Sequence, residues 1–461
     1  MNEPLSVAAV AEHHAAAGSP PLWTIAPFAL YLLLIAVIPL IAGSFWAKNR
    51  NKLIVAAILS VPVVLYLALG NPHGLSWLAE SVKEYVAFMT LLLALFVITG
   101  GIYLRGELAG TPAINTAFLA FGALIANLIG TTGASLLLIR PLLRANEKRT
   151  RRVHMVVFFI FIVSNGAGML TPLGDPPLFL GFLRGVPFFW ALRLFGPWAL
   201  VNGLLLGIFY VLDNVILKRE ERARPAAHLE TAINQPDEPL RIVGGLNFVW
   251  LLGVIVVVYV SGAHAESISS NEYLQTLFQV AGMLLMAGLS YKLTPREVHQ
   301  ANRFGWEPIL EVAAVFVGIF VTMVPALRVL AAQGASLGVT KPWHFFWASG
   351  VLSSFLDNAP TYLTFATLAV GVTNQLTGSQ LSADHLAGLA SHPLGATLLT
   401  AVSCGSVFMG ANSYIGNGPN FMVKALAEEG RVRMPSFFGY MAWSGGILVP
   451  LFVVVTLIFF R

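Results

Sequence analysis

The sequence predicts an all-α polytopic membrane protein built from two inverted repeats, each with five transmembrane helices and one re-entrant hairpin. Three observations lead to this prediction. Of the 461 residues, 57% are hydrophobic and only 11% are charged, whereas ordinary soluble domains carry about 25% charged residues. Apolar runs of membrane-spanning length recur along the whole chain. Two of these runs are interrupted by clusters of glycine, proline and polar residues.

Ten apolar runs are long enough to cross a bilayer, because a spanning helix needs about 20 apolar residues. Two further apolar segments, 111–144 and 342–371, are interrupted near their middle by GTTGAS and SSFLDNAPT, and we predict that they are re-entrant hairpins. The ten predicted spans are 23–46, 52–70, 82–104, 151–185, 188–217, 246–263, 271–292, 306–333, 392–428 and 435–460.

Lys and Arg residues fall in short loops between the apolar runs, so the net charge of +5 reflects the positive-inside pattern and not a nucleic-acid surface. The basic clusters share one side of the membrane only if both hairpins return to the side from which they entered. We therefore predict a protein of the cell inner membrane with both termini extracytoplasmic. The domains are an extracytoplasmic tail (1–22), repeat 1 (23–217), a cytoplasmic linker (218–245) and repeat 2 (246–461).

Each predicted repeat contains five spans with a hairpin after the third. Because five is an odd number, the two repeats must have opposite orientations in the membrane. A shift of 242 residues supports the repeat, since Ser164, Gly168, Thr171, Gly174, Pro177 and Phe179 match Ser406, Gly410, Ser413, Gly416, Pro419 and Phe421. A looser shift of 226 relates the hairpins, with Thr131, Thr132 and Ser135 opposite Asp357, Asn358 and Thr361.

The segment 164–179, SNGAGMLTPLGDPPLF, breaks an apolar run with glycine and proline and contains Asp175. Backbone groups released by such a break are tolerated in a membrane only where they face protein or a water-filled cavity. A carboxylate in a membrane segment usually marks an ion or substrate pathway. The break is therefore a candidate site. The alternative is that Asp175 only caps the following half-helix.

Asp175 and Asp357 are the candidate residues for proton and cation coupling and for metal binding. Desolvation in the membrane favours the uncharged form of a carboxyl group, so such a group can exchange a proton for a metal cation. Asp357 has an alternative role as the cap of the helix that begins near Pro360.

Hydroxyl and amide oxygens concentrate at the four predicted interruptions, and sodium prefers such hard oxygen ligands. For any one of them the alternative is helix capping or a local bond to the backbone. The candidate cation-binding residues are Thr131, Thr132, Ser135, Ser164, Asn165, Thr171, Asn358, Thr361, Ser406, Asn412, Ser413 and Asn417, and Asn420 is a further oxygen ligand in the second break.

Five other ionisable residues stand near predicted span ends. Glu311 is a candidate proton relay, or its side chain reaches the headgroups. Arg140 is a candidate counter-charge, or it snorkels to the interface. We expect Glu84 and Asp213 to be solvated and His154 to lie at the interface.

The chain contains no Walker loop, no HExxH pair and no GxSxG elbow, so neither ATP hydrolysis nor a familiar hydrolase centre is indicated. The sequence thus predicts no enzyme and no cofactor apart from sodium as a transported or coupling ion. Energy for transport would come from an ion gradient.

The motifs GTTGASLLLIRPLLRAN (130–146), SNGAGMLTPLGDPP (164–177) and SSFLDNAPT (353–361) resemble the ion transporter superfamily. This superfamily includes NhaD-type sodium/proton antiporters, related citrate transporters, dicarboxylate/sodium symporters and arsenite permeases. The paired Asp residues are similar to the NhaD-type pattern, and the neutral Ser-Asn-Thr signature of the dicarboxylate symporters is absent. GDPP is followed by Leu178 and Phe179 instead of hydroxyl-rich sequence, which departs from the antiporters.

The resemblance implies a homodimer with an elevator mechanism. Spans 1–3 and 6–8 would form the scaffold, and the hairpins with spans 4, 5, 9 and 10 would form the moving transport domain. The primary hypothesis is a sodium/proton antiporter whose partners are Na⁺, H⁺ and the lipid bilayer. The alternative is a sodium-coupled citrate or dicarboxylate symporter, in which helix amino ends hold the carboxylate. A passive channel would not need duplicated hairpins.

Overall fold

The computed structural model describes residues 20–106, 109–223, 241–263, 265–333 and 338–461. Most of the predicted tail 1–22 and the central part of the predicted linker 218–245 lie outside these residues.

Helices make up nearly all of the first half of the described chain. Its α-helices are Ala26–Ile41, Gly43–Trp46, Asn49–Gly70, Gly74–Gly100, Pro112–Ala145, Val153–Ile162, Pro176–Leu183 and Phe195–Ala223, and its 3-10 helices are Leu22–Ile25, Gly166–Met169 and Phe188–Leu194.

Helices also make up nearly all of the second half of the described chain. Its α-helices are Asn247–Ala263, Ala265–Ile268, Glu272–Leu293, Arg296–Ala301, Glu307–Gln333, Pro342–Ser353, Asn358–Thr377, Ala387–Ser391, Pro393–Phe408, Gly418–Glu429 and Phe437–Phe459, and Met409–Asn412 is a 3-10 helix.

Among the described residues, nine helices are long and apolar enough to cross a membrane. The chain is therefore an integral, polytopic membrane protein. Large apolar side chains such as Leu69 and Phe438 point outward, as expected where the solvent is lipid. Two of the predicted spans, 151–185 and 392–428, are not continuous helices, because each divides into two helical pieces joined by a 3-10 turn.

The prediction of an exclusively helical chain was incomplete. Residues Tyr103–Arg105 and Arg241–Val243 form a small antiparallel ribbon, with Tyr103 opposite Val243. The hydroxyl of Tyr103 and the carbonyl of Leu104 both accept hydrogen bonds from Arg144, at 2.8 and 2.6 Å. The ribbon therefore anchors the end of helix 112–145.

Helix 112–145 doubles back on itself at Gly130, where the backbone adopts a φ of 76°. The amide of Asn115 donates to Asn146 Oδ1 at 3.0 Å, although 31 residues of straight helix would separate them by roughly 46 Å. Helices 342–353 and 358–377 also run back along each other, since the rings of Phe345 and Phe365 lie 6.5 Å apart. We call these two segments hairpin 1 and hairpin 2.

The helices 26–41, 49–70, 74–100, 247–263, 272–293 and 307–333 pack against one another, and we call them the frame helices. Helices 74–100 and 307–333 lie antiparallel at the centre of this group. Ser81 Oγ donates to Phe320 O at 2.6 Å, and the Tyr85 hydroxyl donates to Ala313 O at 3.0 Å. Helix 74–100 also packs on hairpin 1, and helix 307–333 packs on hairpin 2.

The expectation that Asp213 is solvated was wrong, and His154, which we expect near the membrane interface, packs against it. Both residues are buried, and His154 Nε2 lies 3.0 Å from Asp213 Oδ1. Arg149 pairs with Asp213 at 2.8 Å and with Glu220 at 2.8 Å. Folding brings these groups together from positions up to about 70 residues apart in the chain. Residues close to the span ends in sequence therefore do not predict these contacts.

The expectation of a solvated Glu84 was also wrong. Glu84 is buried, and its carboxylate accepts two hydrogen bonds from the guanidinium of Arg184, at 2.9 and 3.0 Å. The pairing removes the cost of burying an isolated charge.

Candidate functional site

The two broken spans have the same backbone arrangement at their turns. In the first break, a Cβ atom added to Gly174 would lie 2.3 Å from the carbonyl oxygen of Gly168. In the second break, a Cβ atom added to Gly416 would lie 2.4 Å from the carbonyl oxygen of Gly410. Only glycine allows these approaches. The two pairs are related by the shift of 242 residues seen in the sequence.

The tip of hairpin 1 rests on the first break. Thr131 N donates to Gly174 O at 2.9 Å, and the hydroxyls of Ser135 and Ser164 are 2.8 Å apart. Asn127 Oδ1 accepts from the backbone N–H of Leu170 at 2.8 Å. The hydroxyl of Thr171 donates to the carbonyl oxygen of Asn127. These bonds satisfy backbone groups that the break releases.

Hairpin 2 rests on the second break in a similar way. Ser353 Oγ donates to Ser406 O at 2.5 Å, and Ser354 Oγ donates to Met409 O at 3.1 Å. Asn412 donates its amide to Ser354 Oγ at 2.9 Å. The hydroxyl of Ser413 donates to the carbonyl oxygen of Ser354, as the hydroxyl of Thr171 does to Asn127 on the other side.

Three asparagines join the two breaks. Asn165 donates its amide to Asn420 Oδ1 at 2.7 Å. Asn417 donates to Asn165 Oδ1 and to Ser164 O, both at 3.1 Å, and Asn420 donates to Gly410 O at 2.8 Å. Hairpin 1, hairpin 2 and both breaks therefore form one connected polar cluster.

Asp175 lies inside this cluster and is 1% exposed. It occupies the N-cap position of helix 176–183, with an extended backbone (φ −144°, ψ 139°), but its side chain makes no capping bond. Asn417 has nearly the same backbone (φ −152°, ψ 141°) before helix 418–429. The side chain of Asp175 thus does not cap helix 176–183, as the alternative interpretation of the sequence supposed. Its carboxylate is available for another role.

One buried oxygen in the first break and one at the tip of hairpin 1 have no hydrogen-bond partner. They are Asp175 Oδ1 and Thr131 Oγ1. Both residues line one cavity of about 80 Å³, together with Gly130, Thr132 and Gly174. The opposite wall is apolar and belongs to helices 74–100 and 307–333. Unsatisfied buried oxygens are costly, and a bound cation or a proton would remove that cost.

Asn358 provides the contact between hairpin 2 and Asp175, because its side-chain amide lies 3.5 Å from Asp175 Oδ2. When the amide is turned so that its nitrogen donates to Gly416 O (2.9 Å) and Ser406 O (3.1 Å), its oxygen faces Asp175. This orientation satisfies more buried groups. In this orientation the Asn358 oxygen accepts from Asn417 Nδ2 at 3.2 Å and also lies next to an Asp175 oxygen. A cation or a proton between these two acceptor oxygens would be stabilised by both of them.

Asp357 has a different environment from Asp175. It is half-buried at the N-cap of helix 358–377, and its Oδ1 accepts from Ala359 N at 3.1 Å. The hydroxyl of Thr361 donates to Asp357 O at 3.1 Å. The capping alternative is therefore realised for Asp357, whose second carboxylate oxygen remains available.

The other candidate residues divide into two groups. Ser406 Oγ donates to Val402 O at 2.7 Å within its own helix, which is the local bonding that the sequence left open. Outside the cluster, Glu311 is half-exposed and pairs with Lys52 at 2.9 Å, and Arg140 donates to the carbonyl oxygen of Asn302 at 3.0 Å.

Several residues of the cluster were not among the candidates. Ser353 and Ser354 belong to the SSFLDNAPT segment, so their position at the hairpin tip gave a signal. Asn127 lies in the apolar first helix of hairpin 1, and its neighbours in sequence do not predict that it belongs to the site.

The oxygen donors of the cluster are carboxylate, amide, hydroxyl and carbonyl groups, which suit hard cations. Over the described ranges, no three His, Cys, Asp or Glu side chains come together in a group that could hold a metal ion. The chemistry of the donors fits a weakly held alkali cation better than a tightly bound transition metal.

Broken helices that meet at a buried polar cluster inside a polytopic membrane chain are typical of secondary transporters. The chain belongs to the family described as "Putative citrate transport", whose model matches residues 17–460. This match confirms the resemblance to the citrate transporters of the ion transporter superfamily. Among curated proteins, no match was found.

Proposed function

We propose that this protein is a sodium/proton antiporter in which Asp175 binds either a proton or a sodium ion. The proposal rests on one observation: Asp175 and Thr131 line the same cavity, and each has a buried oxygen, Oδ1 and Oγ1, without a hydrogen-bond partner. A carboxylate in such a place is stable only when a cation or a proton neutralises it. Competition between the two for one carboxylate is the minimal requirement for antiport.

Nearby oxygens supply the remaining ligands for sodium in this proposal. The side-chain oxygen of Asn358, in the turned orientation of its amide, and the hydroxyls of Thr131 and Thr132 belong to residues around Asp175. Asp357 adds a second negative charge next to Asn358 and favours cation entry. Protonation of Asp175 then releases the sodium ion.

A second candidate function is sodium-coupled symport of citrate or a dicarboxylate. The family description favours it, and so does the arrangement of the half-helices. Helices 176–183, 358–377 and 418–429 all begin within the cluster, and helix amino ends favour anions. In this case sodium neutralises Asp175 while the amino ends hold the carboxylate.

Transport in either case uses an inverted repeat and an elevator movement in our proposal. The matching glycine pairs and the matching backbones of Asp175 and Asn417 support the repeat. The frame helices act as the scaffold, and the two hairpins with the broken spans move as one unit. We further propose a homodimer in the cytoplasmic membrane, with both termini extracytoplasmic.

The two functions are distinguished in proteoliposomes that contain a pH-sensitive dye. An inward sodium gradient without any carboxylate should drive protons out and raise the interior pH if the protein is an antiporter. Sodium-dependent uptake of labelled citrate, without sodium-driven proton movement in its absence, would instead establish the symporter.

Asp175→Asn should remove the sodium-driven signal, because an amide cannot exchange a proton for a cation. Glu428→Gln is the matched control, since Glu428 forms an exposed pair with Lys424 within one helix. Wild-type antiport in Asp175→Asn would refute the proposal.

A further inference from the structure

Two ion pairs connect the frame helices to the elements that carry the site. In the first pair, Arg184 contacts Glu84 with two parallel hydrogen bonds of 2.9 and 3.0 Å. In the second pair, Arg328 Nη1 lies 2.6 Å from Asp384 Oδ2. Both pairs line one small charged cavity, which also contains Trp77.

The two pairs have opposite polarity across the contact. Glu84 and Arg328 come from the frame helices 74–100 and 307–333. Arg184 ends the half-helix that begins after Asp175, and Asp384 lies in the segment that follows hairpin 2. The frame therefore offers one acid and one base, and the site-bearing elements offer the complementary base and acid.

Arg184 also holds the two site-bearing elements together. Its carbonyl oxygen accepts from Leu386 N at 2.6 Å, and its Nη1 lies 3.4 Å from the carbonyl oxygen of Ala383. The residue thus joins a frame helix, the half-helix from the first break and the segment after hairpin 2. No pairing within a single helix could restrain all three.

The Arg328–Asp384 pair lies far along the frame from the Asp175 cavity. Ile309, which lines that cavity, and Arg328 are both in helix 307–333, and 19 residues of helix span roughly 28 Å. In helix 74–100, Phe88 lines the Asp175 cavity, and Glu84 lies about one turn earlier. The charged contacts therefore extend from beside the Asp175 cavity to a distant part of helix 307–333.

We propose that the Glu84–Arg184 and Arg328–Asp384 pairs form a latch that holds the site-bearing elements in this one position. The inference rests on the proposed elevator movement, because only relative movement of the two units requires the pairs to separate. Arg184 is then a positioning residue of the transport cycle, because it sets the fraction of molecules in which the site-bearing elements occupy this position.

Breaking the latch should expose the site to the opposite face of the membrane. The chain has one cysteine, Cys404, which is buried, so Cys404→Ser provides a cysteine-free background. Thr132→Cys then places a single thiol at the hairpin 1 tip. Its labelling by a membrane-impermeant maleimide is measured separately from each face of reconstituted vesicles, without any substrate.

In the latched protein, we expect labelling mainly from one face of the membrane. Arg184→Gln leaves Glu84 buried and unpaired, and we expect it to raise labelling from the opposite face by about tenfold. Asp384→Asn breaks the more exposed pair and should raise it by about threefold. Because Asp384 is half-exposed, this second variant gives a result even if Arg184→Gln does not fold.

Lys83→Gln is the matched control. Lys83 is next to Glu84 in the chain, but it pairs with Glu272 at 2.9 Å, and both belong to frame helices. Unchanged opposite-face labelling in Arg184→Gln and Asp384→Asn, or an equal increase in Lys83→Gln, would overturn the latch. If labelling shifts as expected but sodium moves no protons, the latch stands and the proposed antiport fails.

Discussion

Asn165 and Asn420, which are 255 residues apart in the chain, share a buried hydrogen bond of 2.7 Å between their side-chain amides. Asn165 also donates to Ile160 O at 2.8 Å and accepts from Asn417 at 3.1 Å. Two of these three bonds cross to the second broken span, and the third holds the side chain against its own span. The two halves of the cluster depend on this contact for their relative position.

Asn165→Ala should destabilise the protein by about 1 to 3 kcal/mol, because it leaves buried partners unsatisfied. We expect a lower Tm in detergent and a large loss of transport. Asn214→Ala is the control, since Asn214 makes only a bond to Tyr210 O within its own helix. Equal Tm values for the two variants would contradict a joining role for Asn165.

Asp357 both caps a helix and carries a charge, and two substitutions separate these roles. Asp357→Asn keeps an N-cap residue but removes the charge, whereas Asp357→Ala removes both and should cost about 1 kcal/mol in stability. We expect coupled transport to be lost in both variants, with normal stability only in Asp357→Asn. Full transport by Asp357→Asn would reduce the role of Asp357 to helix capping.

Asp175→Ala should abolish coupled transport while the protein is still inserted in the membrane. The carboxylate has an unpartnered oxygen and makes no capping bond, so its removal should not lower stability. We expect an unchanged or higher Tm, because a desolvated charge is lost. A marked fall in Tm would indicate a structural role for Asp175.

The glycine pairs of the two breaks should tolerate no side chain. Gly174→Ala and Gly416→Ala place a methyl group 2.3 and 2.4 Å from a carbonyl oxygen, so the backbone must shift in both. We expect a clear drop in Tm and loss of transport in each variant. Gly203→Ala and Gly288→Ala meet open space and serve as controls, and similar Tm values in all four variants would disprove the close approach.

The buried pair of Arg149 and Asp213 should matter far more than a surface pair. Asp213→Asn removes the charge that faces Arg149 and should destabilise the protein by about 3 kcal/mol. Lys424→Gln breaks the exposed pair with Glu428 and should cost roughly 0.5 kcal/mol or less. Chemical unfolding in detergent measures both, and the comparison fails if the two costs are alike.

Local features of the sequence predicted the elements of the site. The glycine and proline residues between Ser164 and Phe179 cannot continue a helix, and the structure breaks the helix there. The same reasoning located the second break and both hairpin tips, because backbone conformation depends mainly on nearby residues. The match between Gly174 and Gly416 in sequence corresponds to a matching contact in the structure.

Pairing between distant charges could not be predicted in the same way. Glu84 and Asp213 are near span ends, and the residues next to them in sequence do not predict that Arg184 and Arg149 are their partners. Asn127 was missed for the same reason, since its contacts with Leu170 and Thr171 arise only when hairpin 1 folds onto the first break.

The sequence by itself determined the membrane-embedded, helical class of this protein and the places where its helices break. Hydropathy and the conformational limits of glycine and proline act over a few residues, so they can be read along the chain. Only the tertiary structure decided that Asn165 bonds to Asn420 and that Glu84 pairs with Arg184. These contacts depend on which distant parts of the chain meet in space, and the order of the residues does not state those distances.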